Sequence, residues 1–198
     1  MAKTVDFYVA LPSPWTYLAF PRFREIAAKT GATVNYKPFD LMQIFGEIGT
    51  KAVGQRPPQI QKNRLNELRR WRDFLGMPLN LHPEFFPVDQ KLAARMAIAA
   101  RQSGADIGPL CQAILTAVWA EERNIADPET LKAIADAQGL DGAALLSKAD
   151  GGKPAEEFER NSQEASERNV FGAPTWIIDD ELYWGQDRLD FVGRHLGA

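Results

Sequence analysis

Two periods of hydrophobic and polar positions alternate along the chain, and the changes between them mark its elements. The run Val5-Asp6-Phe7-Tyr8-Val9 is rich in β-branched and aromatic residues and predicts a short buried strand over residues 2–9. The period then lengthens. Residues 14–30 predict a helix, with Ser13 as N-cap, Pro14 at the first helical position and Gly31 as the closing residue. Residues 32–39 return to alternation at Val34 and Tyr36, predicting a second strand. Strand, helix and strand with a crossover of this length imply a parallel pair with a right-handed connection.

From residue 41 the pattern is helical. A short helix is expected over residues 41–48. An irregular loop broken by Gly54, Pro57 and Pro58 comes next, and then a longer helix over residues 58–75. The apolar line of that helix is Leu65, Leu68, Trp71, Phe74 and Leu75, and Gly76 closes it. A Pro-rich loop over residues 77–88 carries His82, Phe85 and Phe86. Further helices are expected over residues 89–103, 107–122, 127–138, 141–149 and 154–169, the third opening on the Asp127-Pro128 cap. Residues 170–174 then form a loop, residues 175–178 and 181–184 a hairpin turning at Asp179-Asp180, and Asp187 caps a final helix through Leu189, Phe191, Val192 and Leu196. The order is β-α-β, helices, β-β-α. It predicts an α/β fold with a thioredoxin-like layout, in which residues 1–40 and 170–198 form one sheet domain and residues 41–169 an inserted all-helical domain.

Composition narrows the function classes. The 198 residues are 45 % hydrophobic and 25 % charged with a formal net charge of −3, so no general attraction to nucleic acid or anionic membrane is expected. No apolar run approaches the ~20 residues of a membrane span, and the N-terminus shows no signal-peptide core, so a cytoplasmic location is expected. The one cysteine, Cys111, shares a helical face with Ile107, Ile114 and Val118 and reads as a small buried hydrophobe; neither an intramolecular disulfide nor a Cys-x-x-Cys pair is available. The two histidines, His82 and His195, lie far apart, with His195 in the last turn of the final helix. There is no metal constellation and no serine hydrolase elbow.

What remains is the junction at Ser13. A strand running into a capped helix gathers unpaired backbone N–H groups and the positive dipole end at one point, which favours an anion, and here that point carries a hydroxyl. Ser13 either only caps its helix or also serves chemistry there.

Three stretches bear on that choice: Asp6-Phe7-Tyr8 through Ser13-Pro14-Trp15-Thr16-Tyr17-Leu18-Ala19, then Phe171-Gly172-Ala173-Pro174-Thr175, then Trp184-Gly185-Gln186-Asp187-Arg188-Leu189. In this order they resemble the DsbA-like branch of the thioredoxin fold. The likeness is to its cysteine-free members, the kappa-class glutathione transferases and the bacterial 2-hydroxychromene-2-carboxylate isomerases. The resemblance covers the whole chain. Ser13-Pro14-Trp15-Thr16 stands where redox members carry Cys-x-x-Cys, so disulfide exchange is excluded. The resemblance implies that glutathione is the cofactor and brings the sulfur, that Ser13 donates to it, and that the helix N-terminus favours its thiolate. It implies that Ala173-Pro174 is a cis-proline loop whose Ala173 backbone pairs with the cysteinyl part of glutathione. It also implies that Trp184, Gly185, Gln186 and Asp187 hold the γ-glutamyl end, while Asp187 read alone is a helix cap. Gln55-Arg56 stands where relatives have Asn and a basic residue, so Arg56 either anchors a carboxylate of the substrate or of glutathione or is a solvated charge. Lys51 and Lys62 are further basic candidates. Phe85 falls near the aromatic residue that lines the substrate site in relatives, a core role being the alternative. Phe45 occupies the place of a lysine carried by the isomerases.

The function expected from the resemblance is glutathione-dependent cis–trans isomerisation of 2-hydroxychromene-2-carboxylate or a similar intermediate of aromatic degradation. Two alternatives stand beside it: a kappa-like transferase conjugating electrophiles, and a redox-inactive module binding peptide by β-pairing. A homodimer is expected from the resemblance alone.

Overall fold

The computed structural model describes residues 3–198, so Ala2 of the expected first strand lies outside the described residues. Four strands form one sheet in the order β2-β1-β3-β4: β1 Thr4–Val9, β2 Thr33–Pro38, β3 Thr175–Ile178 and β4 Glu181–Trp184. β1 runs parallel to β2, with Phe7 opposite Tyr36, and antiparallel to β3, with Phe7 opposite Trp176. The β3–β4 hairpin turns on Asp179 and Asp180 at φ of 49° and 64°. That is the left-handed pair a two-residue turn needs to match strand twist, and Asp tolerates it better than most side chains.

The helices among the described residues are α1 Pro14–Thr30, α2 Leu41–Glu47, α3 Pro58–Leu75, α4 Lys91–Gln102, α5 Gly108–Trp119, α6 Pro128–Ala137, α7 Gly142–Ala149, α8 Gly152–Glu167 and α9 Leu189–Leu196. Their starts follow local chemistry. Ser13, Asp127 and Asp141 each accept the N–H three residues on, and Pro14 and Pro128 fill first-turn positions whose missing N–H costs nothing. Gly31 closes α1 in the left-handed conformation.

Alternate residues of β1 go to opposite faces, as a strand requires. Val5, Phe7 and Val9 join Trp176 and Ile178 in a cluster with α1 and α9, while Tyr8 and Ala10 join Ile177, Phe39, Ile44 and Val170 on the face covered by α2 and α8. The first cluster does not stop at the sheet. It runs on without a break through Leu68, Met96, Ile114, Trp119, Leu131 and Phe158, so sheet and middle helices share one apolar core.

Two apolar expectations fail. Phe74 is 78 % exposed and Phe191 is 53 % exposed. Of the line foreseen on α3, only Leu68 is fully buried, because α3 lies at the surface and presents a narrow stripe to the core. Among the described residues no helix is long and apolar enough to cross a membrane.

Candidate active site

The segment between β1 and α1 is held from both sides. Ser13 N–H donates to the Ala10 carbonyl at 3.0 Å, closing the turn. Leu11 N–H donates to Gln90 Oε1 at 2.8 Å, and Gln90 Nε2 donates to the Phe39 carbonyl at 2.9 Å. One buried amide thereby ties the end of β1 to the end of β2. Gln90→Ala would leave a buried donor and a buried acceptor unpaired, at about 1–3 kcal/mol each. Urea unfolding should therefore show a loss of about 2–4 kcal/mol, and a loss below about 0.5 kcal/mol would mean that water replaces the amide.

At the head of α1, Ser13 Oγ accepts the Thr16 N–H at 3.2 Å and donates to the Ala173 carbonyl at 3.4 Å. Pro14 has no N–H and that of Thr16 is taken by Ser13, which leaves Trp15 carrying the open N–H of the first turn. The donated bond is long for O–H···O, whose usual distance is about 2.7–2.8 Å, so the hydroxyl proton is loosely held and can turn to a better acceptor. Thr16, also fully buried, keeps its Oγ1 without a hydrogen-bond partner among the described residues. A hydroxyl donor, an open N–H and the positive end of a 17-residue helix converge on one point.

Opposite lies the loop of residues 170–174, whose Ala173–Pro174 bond is cis. The Pro174 carbonyl accepts the Gly185 N–H at 3.0 Å, which draws the turn after β4 against this loop. Trp184 lies over Gly172 so closely that a Cβ there would fall inside its indole, and it packs on Phe171 at 4.8 Å between ring centres. Gly185 sits at φ 103°, and a Cβ there would lie 2.6 Å from Asp187 Oδ1. Gln186 is buried. Its side-chain carbonyl accepts from Arg22 of α1 at 3.1 Å, and its backbone carbonyl accepts from the same group at 3.4 Å. These contacts link Ser13, Ala173, Gly185 and Gln186 in one connected neighbourhood, with Trp184 and Asp187 on the same turn.

Asp187 does not cap the last helix. The chain passes through a 3-10 turn, Gln186–Arg188, before α9 begins at Leu189 without a side-chain cap. The tighter turn carries the Asp187 carboxylate away from the first N–H groups of α9, and it pairs with Arg188 at 3.0 Å.

Gln55 ends a 3-10 turn, Val53–Gln55, between α2 and α3, and Arg56 follows it in extended conformation. Arg56 Nε donates to the Lys51 carbonyl at 2.9 Å, and its guanidinium lies 5.6 Å from the centre of the Phe45 ring. Phe85 is half-buried, while Lys51 and Lys62 are exposed. No hydrogen bond or ring contact among the described residues joins Gln55, Arg56 or Phe85 to the Ser13 neighbourhood. Gln90 and Arg22 were not found from sequence, since partners 79 and 164 residues away leave no local signature.

The thiol and the phenols of the chain stay protonated through the neutral range. Burial, with a smaller effect of Asp106, pushes the fully buried Cys111 thiol up to about 12. Tyr17 donates to the Pro78 carbonyl at 2.5 Å and is pushed up to about 12 by burial and then by Glu121. Burial and Glu181 raise Tyr183 to about 12, and Tyr8 and Tyr36 are raised further, mainly by burial. A concavity of about 530 Å³ lies at the opposite end of the sheet, lined by Lys3, Thr4, Asp6, Arg168, Ile177, Asp179 and Asp180. Its charges are already paired with one another, Arg168 with Asp6 at 2.5 Å and Lys3 with Asp179 at 2.7 Å, so it lacks the open N–H that Trp15 offers at the head of α1.

Known proteins match this chain along nearly its whole length. The family model described as DSBA-like thioredoxin domain matches residues 4–197. A 2-hydroxychromene-2-carboxylate isomerase of Sphingobium xenophagum is 31 % identical over 198 residues, covering 99 % of each chain. A solved structure of a 2-hydroxychromene-2-carboxylate isomerase superposes with a TM-score of 0.79 at 29 % identity, covering 98 % of this chain and 94 % of the other. Glutathione S-transferase kappa 1 of Caenorhabditis elegans is 22 % identical over 209 residues, covering 97 % of this chain and 90 % of that one. With a family match over residues 4–197 and a relative aligned along nearly its whole length, the chain belongs to the DsbA-like thioredoxin domain family.

Proposed function

We propose that the protein is a glutathione-dependent isomerase of 2-hydroxychromene-2-carboxylate or a closely similar acid. The observation that carries the reading is the loosely held Ser13 hydroxyl at the head of α1, 3.4 Å from the Ala173 carbonyl, in a chain whose relatives of matching length are named for that reaction. Glutathione, if held there, would supply a nucleophilic sulfur for reversible addition to the conjugated acid.

The residues fit such a ligand. Ser13 Oγ–H turns from the Ala173 carbonyl toward the incoming sulfur, and the open N–H of Trp15 adds a second donor with the helix dipole behind it. That arrangement favours the ionised sulfur and so lowers the pH at which it is reactive. The backbone of Ala173 faces the same point from the other side. The turn through Gly185 and Gln186, fixed by Pro174 and Arg22, presents Asp187 as a carboxylate for an ammonium group. Ser13 stabilises the sulfur and does not itself attack.

Product analysis tests this reading. Purified protein with glutathione is expected to convert the chromene acid into its ring-opened trans isomer, with glutathione unconsumed, and to do nothing without glutathione. No conversion in the presence of glutathione overturns it. A second reading, conjugating transfer, draws on the kappa-class relative. It is recognised by a stable glutathione adduct with a halogenated aromatic and consumption of glutathione in proportion.

A further inference from the structure

Arg64, on the second turn of α3, shares with Arg95 of α4 a buried guanidinium nitrogen that has no hydrogen-bond partner among the described residues, and of the two it is the one held over aromatic rings. Arg22, Arg24, Arg101 and Arg168 each donate to a side-chain oxygen of a neighbour, namely Gln186, Gln112, Glu157 and Asp6. Arg64 is in no ion pair among the described residues, and its Nη2 is buried with no hydrogen-bond partner among them. Its guanidinium lies 5.4 Å from the centre of the Phe86 ring and 5.9 Å from that of Trp119, and those rings pack on each other at 5.0 Å. The aromatic faces hold the cation in place but accept no N–H in the plane of the fork.

A second cation is close by. Gln61, one turn before Arg64, donates from Nε2 to the Arg56 carbonyl at 2.7 Å and to the Gly54 carbonyl at 3.3 Å, which fastens the Arg56 turn to the start of α3. Burial, with the like charge of Arg56 adding to it, brings the Arg64 guanidinium down to about 10. Two guanidinium groups in one neighbourhood, one of them desolvated and carrying an unused donor, are unfavourable for the protein alone. A planar carboxylate offers what both lack, an anion with two acceptor oxygens matched to the guanidinium fork.

We propose that Arg64, assisted by Arg56, is a carboxylate-binding residue for a bound ligand, with Phe86 and Trp119 as the aromatic wall that aims it. The assignment rests on the reading of the chain as a glutathione-dependent enzyme of an aromatic acid. Under that reading two molecules bring a carboxylate: the acid substrate and the glycine end of glutathione.

Calorimetric titrations that need no turnover test the assignment and tell these sources apart. In one arm, glutathione-loaded protein is titrated with chromone-2-carboxylate, a non-reacting planar acid, and with chromone-2-carboxamide. In the other, the protein is titrated with glutathione and with γ-glutamylcysteine, which lacks the glycine. Wild-type protein is expected to prefer the carboxylate form in at least one arm by about 10- to 100-fold, the range of a charged hydrogen bond. Folded Arg64→Gln is expected to lose that preference, and Arg64→Lys, which keeps the charge without the stacked fork, to retain part of it. Arg64→Met, of similar length, carries the same expectation as Arg64→Gln if the amide is poorly tolerated. Loss in the first arm assigns the site to the substrate acid, and loss in the second to glutathione. The proposal is overturned if wild type shows no preference in either arm, or if folded variants bind all four compounds as wild type does. Failure of the isomerase reading would appear separately, as absence of turnover in wild type.

Discussion

Ser13→Ala is expected to lower the isomerase rate about 10- to 100-fold at neutral pH, the range set by losing one hydrogen bond to a charged group. The size of the loss should depend on pH, and its sign follows from the donor. Ser13 favours the ionised sulfur, whose unperturbed pKa is about 8.5 for a cysteine thiol. Without the hydroxyl, that pKa rises toward its free value, and less of the sulfur is ionised at neutral pH. Above the new pKa the sulfur is ionised in both proteins, so the rates should converge as pH is raised. A pH–rate profile of the two proteins checks this. A uniform deficit at every pH, or an undiminished rate, would remove Ser13 from the role given to it. The same change removes the cap on the Thr16 N–H and should cost about 1 kcal/mol of stability, a loss that unfolding curves separate from the kinetic effect.

The largest stability loss is expected at Phe7. Its ring, fully buried, meets Phe23 edge-on at 4.8 Å, stacks on Trp176 at 5.1 Å and touches Phe20 and Tyr36 at 5.5 and 5.9 Å. These partners come from α1, β2 and β3, so the one side chain joins both ends of the chain. Phe7→Ala removes its burial and opens a cavity bounded by rigid rings that cannot collapse into it. The expected cost is about 3–5 kcal/mol, and for a chain of this length the melting temperature should fall by roughly 10 °C or more. Phe74→Ala is the matched control. The same chemical change at a ring 78 % exposed should stay within about 0.5 kcal/mol. Calorimetric scans of both variants decide the matter, and similar losses at the two sites would contradict the core described here.

The contrast between these phenylalanines shows how much of the fold was legible in the sequence. Local signals carried far: the caps at Ser13 and Asp127, the prolines behind them and the Asp179-Asp180 turn each act within three residues, and the structure has each where the sequence put it. Phe74 obeys the same helical spacing as Leu68, but spacing says only that two residues share a face and not which neighbour covers it. Asp187 failed as a cap for a related reason. An Asp before an amphipathic run satisfies the capping pattern, and only the 3-10 turn ahead of Leu189 takes it out of register. At the site, Ser13, Ala173 and the turn after β4 were legible because they lie in stretches that carry a family resemblance. Gln90, Arg22 and Arg64 were not, because their roles depend on partners distant in sequence. Nor did the change of period at residue 41 show that sheet and helices share one continuous core.

The high-lying ionisations of this chain have a practical use. With Cys111 held at about 12 and the tyrosines at about 12 or above, the protein contributes almost no thiolate or tyrosinate absorbance through the neutral and mildly alkaline range. A sulfur carried in by a ligand is then the group whose ionisation changes the ultraviolet difference spectrum over that range. Its ionisation can be titrated directly in the unmodified protein, without first removing cysteines or masking neighbouring rings.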